Sequence, residues 1–252
     1  MGPRRRLDAD LVRRGLVASR GEAQTLIDEH RVLVNGAVAE KASRQIAPTD
    51  QVTVSGPPPQ FVGRGGLKLA HALDVFAIDV AGRRALDAGA STGGFTDCLL
   101  QRGAAHVVAV DVGHGQLHER LRAHPRVTNL ERTNIRHLDP GALGGPVEVV
   151  VGDLSFISLR LVIDPLVSVC QPGAPMVLLV KPQFEAGRAE VSRGRGVITD
   201  PEVWERVRRE IDEALVSARC AVHAWTDSPI TGADGNREFL VHATAPAPEG
   251  TP

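Results

Sequence analysis

The sequence predicts an α/β protein, an open and largely parallel sheet preceded by a small α+β unit. From about Phe61 onward, short apolar runs alternate with helical segments. Before that point, two helical segments give way to an Asn-Gly hairpin. Between the two patterns, Gly56-Pro57-Pro58-Pro59-Gln60 reads as a semi-rigid linker. The expected division is a domain over residues 1–55, a linker over 56–62, a second domain over 63–246 and a disordered tail over 247–252.

Each element follows from local pattern. The stretch 8–16 has a helix start and a glycine stop at Gly15, and Ser19-Arg20-Gly21-Glu22 is a capping box ahead of a helix over 23–29. Arg31 to Val38 carries the Asn35-Gly36 turn, and a short strand at 51–55 closes the first domain. In the second domain the apolar runs predict strands at Arg84–Ala88, His106–Val110, 147–152 and 176–180. Helices fill the gaps at 68–76, Gly94–Gln101, 116–123 and 159–169, with another at Pro201–Ser217. Two final strands, 221–225 and 238–243, are expected to pair.

Composition narrows the class. With 252 residues, 42% apolar and 23% charged, the chain has the makings of one large soluble domain and a small one. No apolar run approaches the roughly 18 residues that a spanning helix needs. The basic start is followed by no apolar stretch, so no secretory leader is expected. Cys98, Cys170 and Cys220 are scattered and without metal-ligand spacing, which predicts a reduced, cytoplasmic setting and no metal. The net charge of -1 makes no argument for a polyanionic partner. Residues 1–55, however, hold nine Lys/Arg against seven Asp/Glu, with Arg4-Arg5-Arg6 and Arg13-Arg14 forming a local basic surface. Lysine occurs only at 41, 68 and 181, every other cation being arginine. Arginine cannot give up its proton, so a retained lysine suggests a titratable amine. Lys41 is read as a chance survivor.

Leu86-Asp87-Ala88-Gly89-Ala90-Ser91-Thr92-Gly93-Gly94-Phe95 turns the first strand of the large domain into a helix. Glycines let backbone approach a ligand, and the helix start offers free N–H groups. A dinucleotide fingerprint is one reading. The Asp-x-Gly-x-Ser-x-Gly-Gly spacing favours S-adenosylmethionine instead, as does Asp87, whose carboxylate suits an ammonium and repels a pyrophosphate. Asp111, ending the next strand, is placed to accept from ribose hydroxyls. Asn134, after a third strand, is a candidate for the adenine edge. For all of these the plain alternative is a turn or capping residue.

Asp153 and Lys181 each end an apolar strand, at the sheet edge where ligands of open sheets bind. Asp153-Leu154-Ser155-Phe156 lacks the Asp/Asn-Pro-Pro-Tyr/Phe pattern common in amino-group methyltransferases. No cysteine follows a proline, as carbon-5 methyltransferases often require. A hydroxyl is the acceptor that remains. Such an acceptor needs a base, and a lysine amine suits the task once burial or a neighbouring cation lowers its ordinary pKa of ~10.4.

Two stretches resemble known families. Residues 4–55 are similar to the S4-type RNA-binding domain through Leu11-Val12-Arg13-Arg14-Gly15-Leu16, Ser19-Arg20 and Val32-Leu33-Val34-Asn35-Gly36. Residues 63–245 resemble FtsJ-like ribose methyltransferases. The carrying stretches are Arg64-Gly65-Gly66-Leu67-Lys68-Leu69, Asp87 to Thr96, Asp153-Leu154-Ser155-Phe156-Ile157-Ser158 and Lys181-Pro182-Gln183-Phe184-Glu185. Joined in this order they resemble the TlyA family of rRNA (cytidine-2'-O)-methyltransferases. The resemblance implies a Rossmann-like S-adenosylmethionine-dependent methyltransferase sheet behind an S4-like domain. It also implies cytidines of 16S and 23S rRNA as substrates, ribosomal RNA or ribosomal subunits as partners, and no membrane.

The resemblance further implies a Lys-Asp-Lys-Glu tetrad at Lys68, Asp153, Lys181 and Glu238. In that reading Lys181 is the base, Asp153 orients it, Lys68 favours its neutral form by like-charge repulsion, and Glu238 anchors Lys68. Arg4, Arg5, Arg6, Arg13, Arg14, Arg20 and Arg31 are the candidate phosphate contacts, which position RNA without reading sequence. With 3% aromatics and no tyrosine, the front domain is not expected to stack bases. The junction Phe61-Val62-Gly63-Arg64 is a candidate coupling element. Three rival readings stand beside this one. The first is an NAD-dependent dehydrogenase, separable by titrating the two cofactors. The others are a haemolysin-like or RNA-binding protein without transferase activity, since relatives of the family carry the haemolysin label, and an idle binding module. An intact tetrad and the absence of a leader or span argue against the last two.

Overall fold

A computed structural model describes residues 3–17, 20–57, 59–194, 196–232 and 234–247, with the side chains of 188, 189 and 193 left aside. Ser19 of the expected capping box and residues 248–252 of the expected tail lie outside the described residues. The chain divides into two units, Met1–Arg64 and Gly65–Pro252.

In the first unit, strand β1 (Arg5–Arg6) leads into α1 (Leu7–Arg13) and α2 (Arg20–Asp28). Strands β2 (Val32–Val34) and β3 (Ala37–Val38) form the predicted hairpin. Asn35 and Gly36 take φ of 53° and 80°, the left-handed pair that a two-residue turn demands. Strand β4 (Gln45–Ile46) pairs β1, and β5 (Val52–Val54) completes a three-stranded sheet in the order β3-β2-β5. Leu7, Leu11, Leu26, Ile27, Val32, Val34 and Ile46 fill the space between sheet and helices.

The second unit opens with α3 (Gly65–Val75) and then alternates β6 (Arg84–Ala88), α4 (Gly94–Gln101), β7 (His106–Val110), the single turn α5 (Glu119–Arg122) and β8 (Val127–Leu130). After β9 (Val149–Gly152) come α6 (Ile163–Ser168), β10 (Pro175–Val180), α7 (Pro182–Glu185), α8 (Arg188–Arg193), α9 (Pro201–Ser217), β11 (Ala221–Asp227) and β12 (Phe239–Thr244). The sheet order is β11-β12-β10-β9-β6-β7-β8. All pairs are parallel except those of β12, which runs antiparallel to β10 and to β11. Helices cover both faces, so β9 (Val-Val-Val-Gly) and the Met176–Val180 run of β10 are buried without alternation.

Helices α2 and α3 each start three residues before their expected bounds, α7 and α8 have no expected counterpart, and two expected helices are cut short or split. The stretch 159–169 splits into a 3-10 turn, Leu159–Leu161, and the separate α6. Pro165 is the reason: lacking an N–H, it is accommodated in the first turn of a new helix and not in the middle of a long one. The helix expected at 116–123 shrinks to α5 because His118 stays extended and its ring nitrogen caps Arg120 N at 3.2 Å. The chain order reverses between β6 and β9, which makes their carboxyl ends the switch point where open sheets bind ligands.

Candidate active site at the switch point of the sheet

The register of β6 with β9 pairs Ala88 with Gly152, which brings Gly89 level with Asp153. Gly89 has a φ of 85°, and a Cβ there would stand 2.6 Å from Asp153 O. Only glycine fits this crossing of loop and strand end. Gly93, the residue before α4, is also left-handed (φ 99°), and a Cβ on it would run into Leu117 and Leu121. It packs inward and shapes the loop from below.

Beyond these ends lies a cavity of about 490 Å³, lined among others by Gly89, Ser91, Asp111, Asn134, Asp153 and Leu154. That volume is in the range of small-molecule sites. Asp111 Oδ2 accepts from Ser91 N at 2.8 Å and Oδ1 from Gly113 N at 2.7 Å, so the carboxylate braces the glycine loop. Each oxygen keeps a further lone pair. Asn134 lines the cavity and also caps a 3-10 turn, accepting from Arg136 N at 3.0 Å. Asn134 is thus a cap and at the same time part of the cavity wall. Val110, Val112, Ile135, Leu154 and Ile157 make the rest of the wall apolar.

A second hollow of about 220 Å³ shares Gly89, Ser91, Asp153 and Ser155 with the first and adds Ala90, Thr92, Gly94, Phe95 and Lys181 among others. Lys181, one residue beyond β10, is 8% exposed. Its Nζ lies 2.6 Å from Asp153 Oδ1 and donates to Ser155 Oγ at 2.8 Å. Lys68 on α3 is equally buried, and its Nζ donates to Glu238 Oε2 at 2.5 Å. The four residues of the expected tetrad therefore form two ammonium–carboxylate pairs. One pair lines the hollow; the other does not line it. Each lysine has its own counter-charge, so the repulsion expected of Lys68 is opposed at its source.

Asp87 corrects another expectation. The pleat of β6 turns it away from both hollows and leaves it without exposed surface. Its Oδ2 accepts from Thr96 Oγ1 at 2.6 Å, while Oδ1 finds no partner among the described residues. Burial pushes its carboxyl up to about 7, against the pull of the Thr96 hydrogen bonds. Asp87 supports the start of α4 from beneath and lines neither hollow.

Ser155 and Phe156 have no role predicted from the sequence, yet both stand at the site. Ser155 is the second partner of the Lys181 amine. Phe156 is 91% exposed at a left-handed φ of 64° and lies against Phe184, ring centroids 5.1 Å apart. Both residues line a shallow hollow of about 690 Å³ that shares Asn134, Phe156 and Ile157 with the first cavity. The signal for Phe156 is a large aromatic side chain three residues beyond a strand-end acid.

The front-unit arginines fall into two groups. Arg6 and Arg20 pair with the buried Asp8 at 2.9 and 2.7 Å, and Arg13 pairs with the buried Asp10 at 2.6 Å. These three keep about half of their side-chain surface, as the exposed Arg4 and Arg5 keep theirs. Arg14 and Arg31 are mostly covered. Arg14 reaches Asp10 and Asp50 O, and Arg31 holds Ser55 O and Pro57 O, so both act as internal tethers. Among the described residues no His/Cys/Asp/Glu group has the form of a metal site, and no helix is long and apolar enough to cross a membrane.

The chain matches the family model of FtsJ-like methyltransferases over residues 61–245 and that of the S4 domain over 5–52. It is 49% identical to the 16S/23S rRNA (cytidine-2'-O)-methyltransferase TlyA of Mycobacterium tuberculosis, over 96% of this chain and 90% of that one. YqxC of Bacillus subtilis is 43% identical over 94% of this chain and 84% of its own length. A solved structure of a hemolysin-named protein from Streptococcus thermophilus superposes with a TM-score of 0.77 at 37% identity, covering 98% of this chain and 90% of that one. The glycine loop, the strand-end acid and amine, and the second buried pair thus sit in a member of the TlyA family, an FtsJ-like methyltransferase with an S4 domain in front.

Proposed function

We propose that this chain methylates the 2'-hydroxyl of cytidine ribose in ribosomal RNA, with S-adenosylmethionine as the donor. One observation carries the reading: a buried lysine held by Asp153 and Ser155 opens into the hollow that the glycine loop lines. The lining suits the cofactor. Gly89, Ala90, Ser91, Thr92, Gly94 and Phe95 form the loop, the Asp111 carboxylate is fixed by two backbone N–H groups to meet a ribose diol, and the apolar wall with Asn134 suits an adenine. When bound, S-adenosylmethionine supplies an electrophilic methyl carbon on a sulfonium.

The chain's own residues supply the rest. In its neutral form Lys181 Nζ would take the 2'-hydroxyl proton as the oxygen bonds to the methyl carbon and the carbon–sulfur bond breaks, the sulfur leaving as a neutral thioether. Asp153, 2.6 Å away, then faces the ammonium so formed. Ser155 fixes the direction of the amine. Lys68, locked to Glu238 and lining neither hollow, ties α3 to the start of β12. Phe156 and Phe184 offer an exposed aromatic face to the acceptor nucleoside. Arg4, Arg5, Arg6, Arg13 and Arg20 are the proposed phosphate contacts of the S4 unit. A ribosomal substrate places the reaction in the cytoplasm.

A binding-only or haemolysin-like role is not favoured, because neither needs two desolvated lysines, each of which is costly to bury. The test is to map ribose methylation on 16S and 23S rRNA from cells with and without this protein. Cytidine 2'-O-methyl marks that vanish with the gene are the expected result, and identical maps overturn the reading.

A further inference from the structure

The stretches Asp153-to-Ser158 and Lys181-to-Glu185 meet twice. At one end Lys181 meets Asp153 and Ser155. At the other end Glu185, the last residue of α7, is buried; its Oε2 accepts from Ser158 Oγ at 2.5 Å and its Oε1 from Leu159 N at 2.7 Å. Burial pushes the Glu185 carboxyl above its usual range, with the hydrogen bonds from Ser158 and Leu159 acting the other way. A buried carboxylate is a costly tie where an apolar side chain would pack, so the hydrogen bonds are what the position supplies. Arg160 reinforces the join, donating to Glu185 O at 3.0 Å and to Glu210 at 2.9 Å.

Between the two joins lies Phe156, held in the left-handed region that an aromatic residue rarely adopts. Such a conformation persists only where its surroundings over-determine it. Glu185 lines none of the three hollows described above, so it acts through the loop. We propose that Glu185 is a positioning residue for the Lys181 amine: by pinning Ser158 and Leu159 to α7 it holds loop 153–158 shut, and so keeps Asp153 and Ser155 on Lys181. Only the turnover arm of its test rests on the methyltransfer reading.

Lysine occurs at three positions only, 41, 68 and 181, so reductive methylation followed by peptide mass spectrometry reads each amine separately. In Glu185→Gln the loop loses a charged acceptor, and Lys181 should label about threefold faster or more while Lys41 and Lys68 stay as in wild type. Turnover on ribosomal RNA should fall about tenfold in kcat with little change in KM, since the loss is felt only once substrate is bound. Ser158→Ala removes one of the two hydrogen bonds; it should shift Lys181 labelling the same way by less, and add nothing on top of Glu185→Gln. Unchanged Lys181 labelling in Glu185→Gln overturns the proposal, whatever happens to kcat. Should that variant not fold, unchanged labelling in Ser158→Ala does so. A wild-type protein that transfers no methyl group to rRNA would overturn the function while leaving the labelling arm intact.

Discussion

Asp87 has no exposed surface, hydrogen bonds from Thr96, and the carboxylates of Asp153 and Asp111 adding to the cost of its charge. With its carboxyl at about 7 in the fold, against 3.8 ordinarily, the folded protein keeps a proton that the unfolded chain releases. The stability from that proton is complete below about pH 4 and is lost as the pH rises toward 7. Asp87→Asn cannot titrate. The urea midpoint of wild type should therefore fall relative to that of the variant between pH 5 and pH 8, and parallel pH profiles would refute the assignment. Lys181 poses the opposite test, because its task requires losing a proton. Lys181→Arg keeps a cation for Asp153 and should bind S-adenosylmethionine as wild type does. A guanidinium stays protonated, so methyl transfer should fall by about 100-fold or more. Substantial turnover in that variant would remove Lys181 from the role of base.

At the scale of elements, the pairing of buried acids with arginines decides how the front unit holds α1. The guanidinium of Arg6, joined by that of Arg20, brings the Asp8 carboxyl down to about 2 in spite of burial. A depressed carboxyl contributes stability above its ordinary value near 4, and that stability is lost as the pH falls toward 2. Asp8→Asn should lower the melting temperature of this unit by about 5 °C at neutral pH, and the gap to wild type should close between about pH 4 and pH 2. A gap that stays constant down to pH 2 would show that the ion pair contributes nothing. The elements also show what was legible in the residues. Arg84–Ala88, His106–Val110, Gly94–Gln101 and Pro201–Ser217 end where their apolar or helical patterns end, because strong local signals and burial agree there. Strand β8 carries Thr128 and Asn129 on the edge of the sheet, half-buried throughout, and so has no such signal. The strand-end rule located Asp153 and Lys181. It says nothing of the direction of Asp87, which the pleat of β6 decides, or of Glu238, whose partner lies 170 residues away in the chain.

At the scale of the whole molecule, the proposed functions separate: phosphate contacts lie in the first unit and bond-making residues in the second. Arg4 and Arg5 are exposed at the start of β1, whereas Arg14 and Arg31 are covered and hold backbone carbonyls. Charge removed from the first pair should therefore cost affinity, and charge removed from the second should cost stability. Arg4→Ala/Arg5→Ala should raise the KM for ribosomal RNA several-fold at moderate salt and leave kcat at saturating RNA unchanged. It should also lower the slope of log affinity against log salt by about one for each phosphate that is no longer neutralised. Arg31→Ala should leave that slope as it is and lower the melting temperature, since the carbonyls of Ser55 and Pro57 lose their donor. Filter binding across a salt series, with turnover at saturation, separates the two effects. An unchanged salt slope in the Arg4/Arg5 variant would move the RNA contact off this basic run, and a fall in kcat would mean that the front unit takes part in the chemistry as well as the docking.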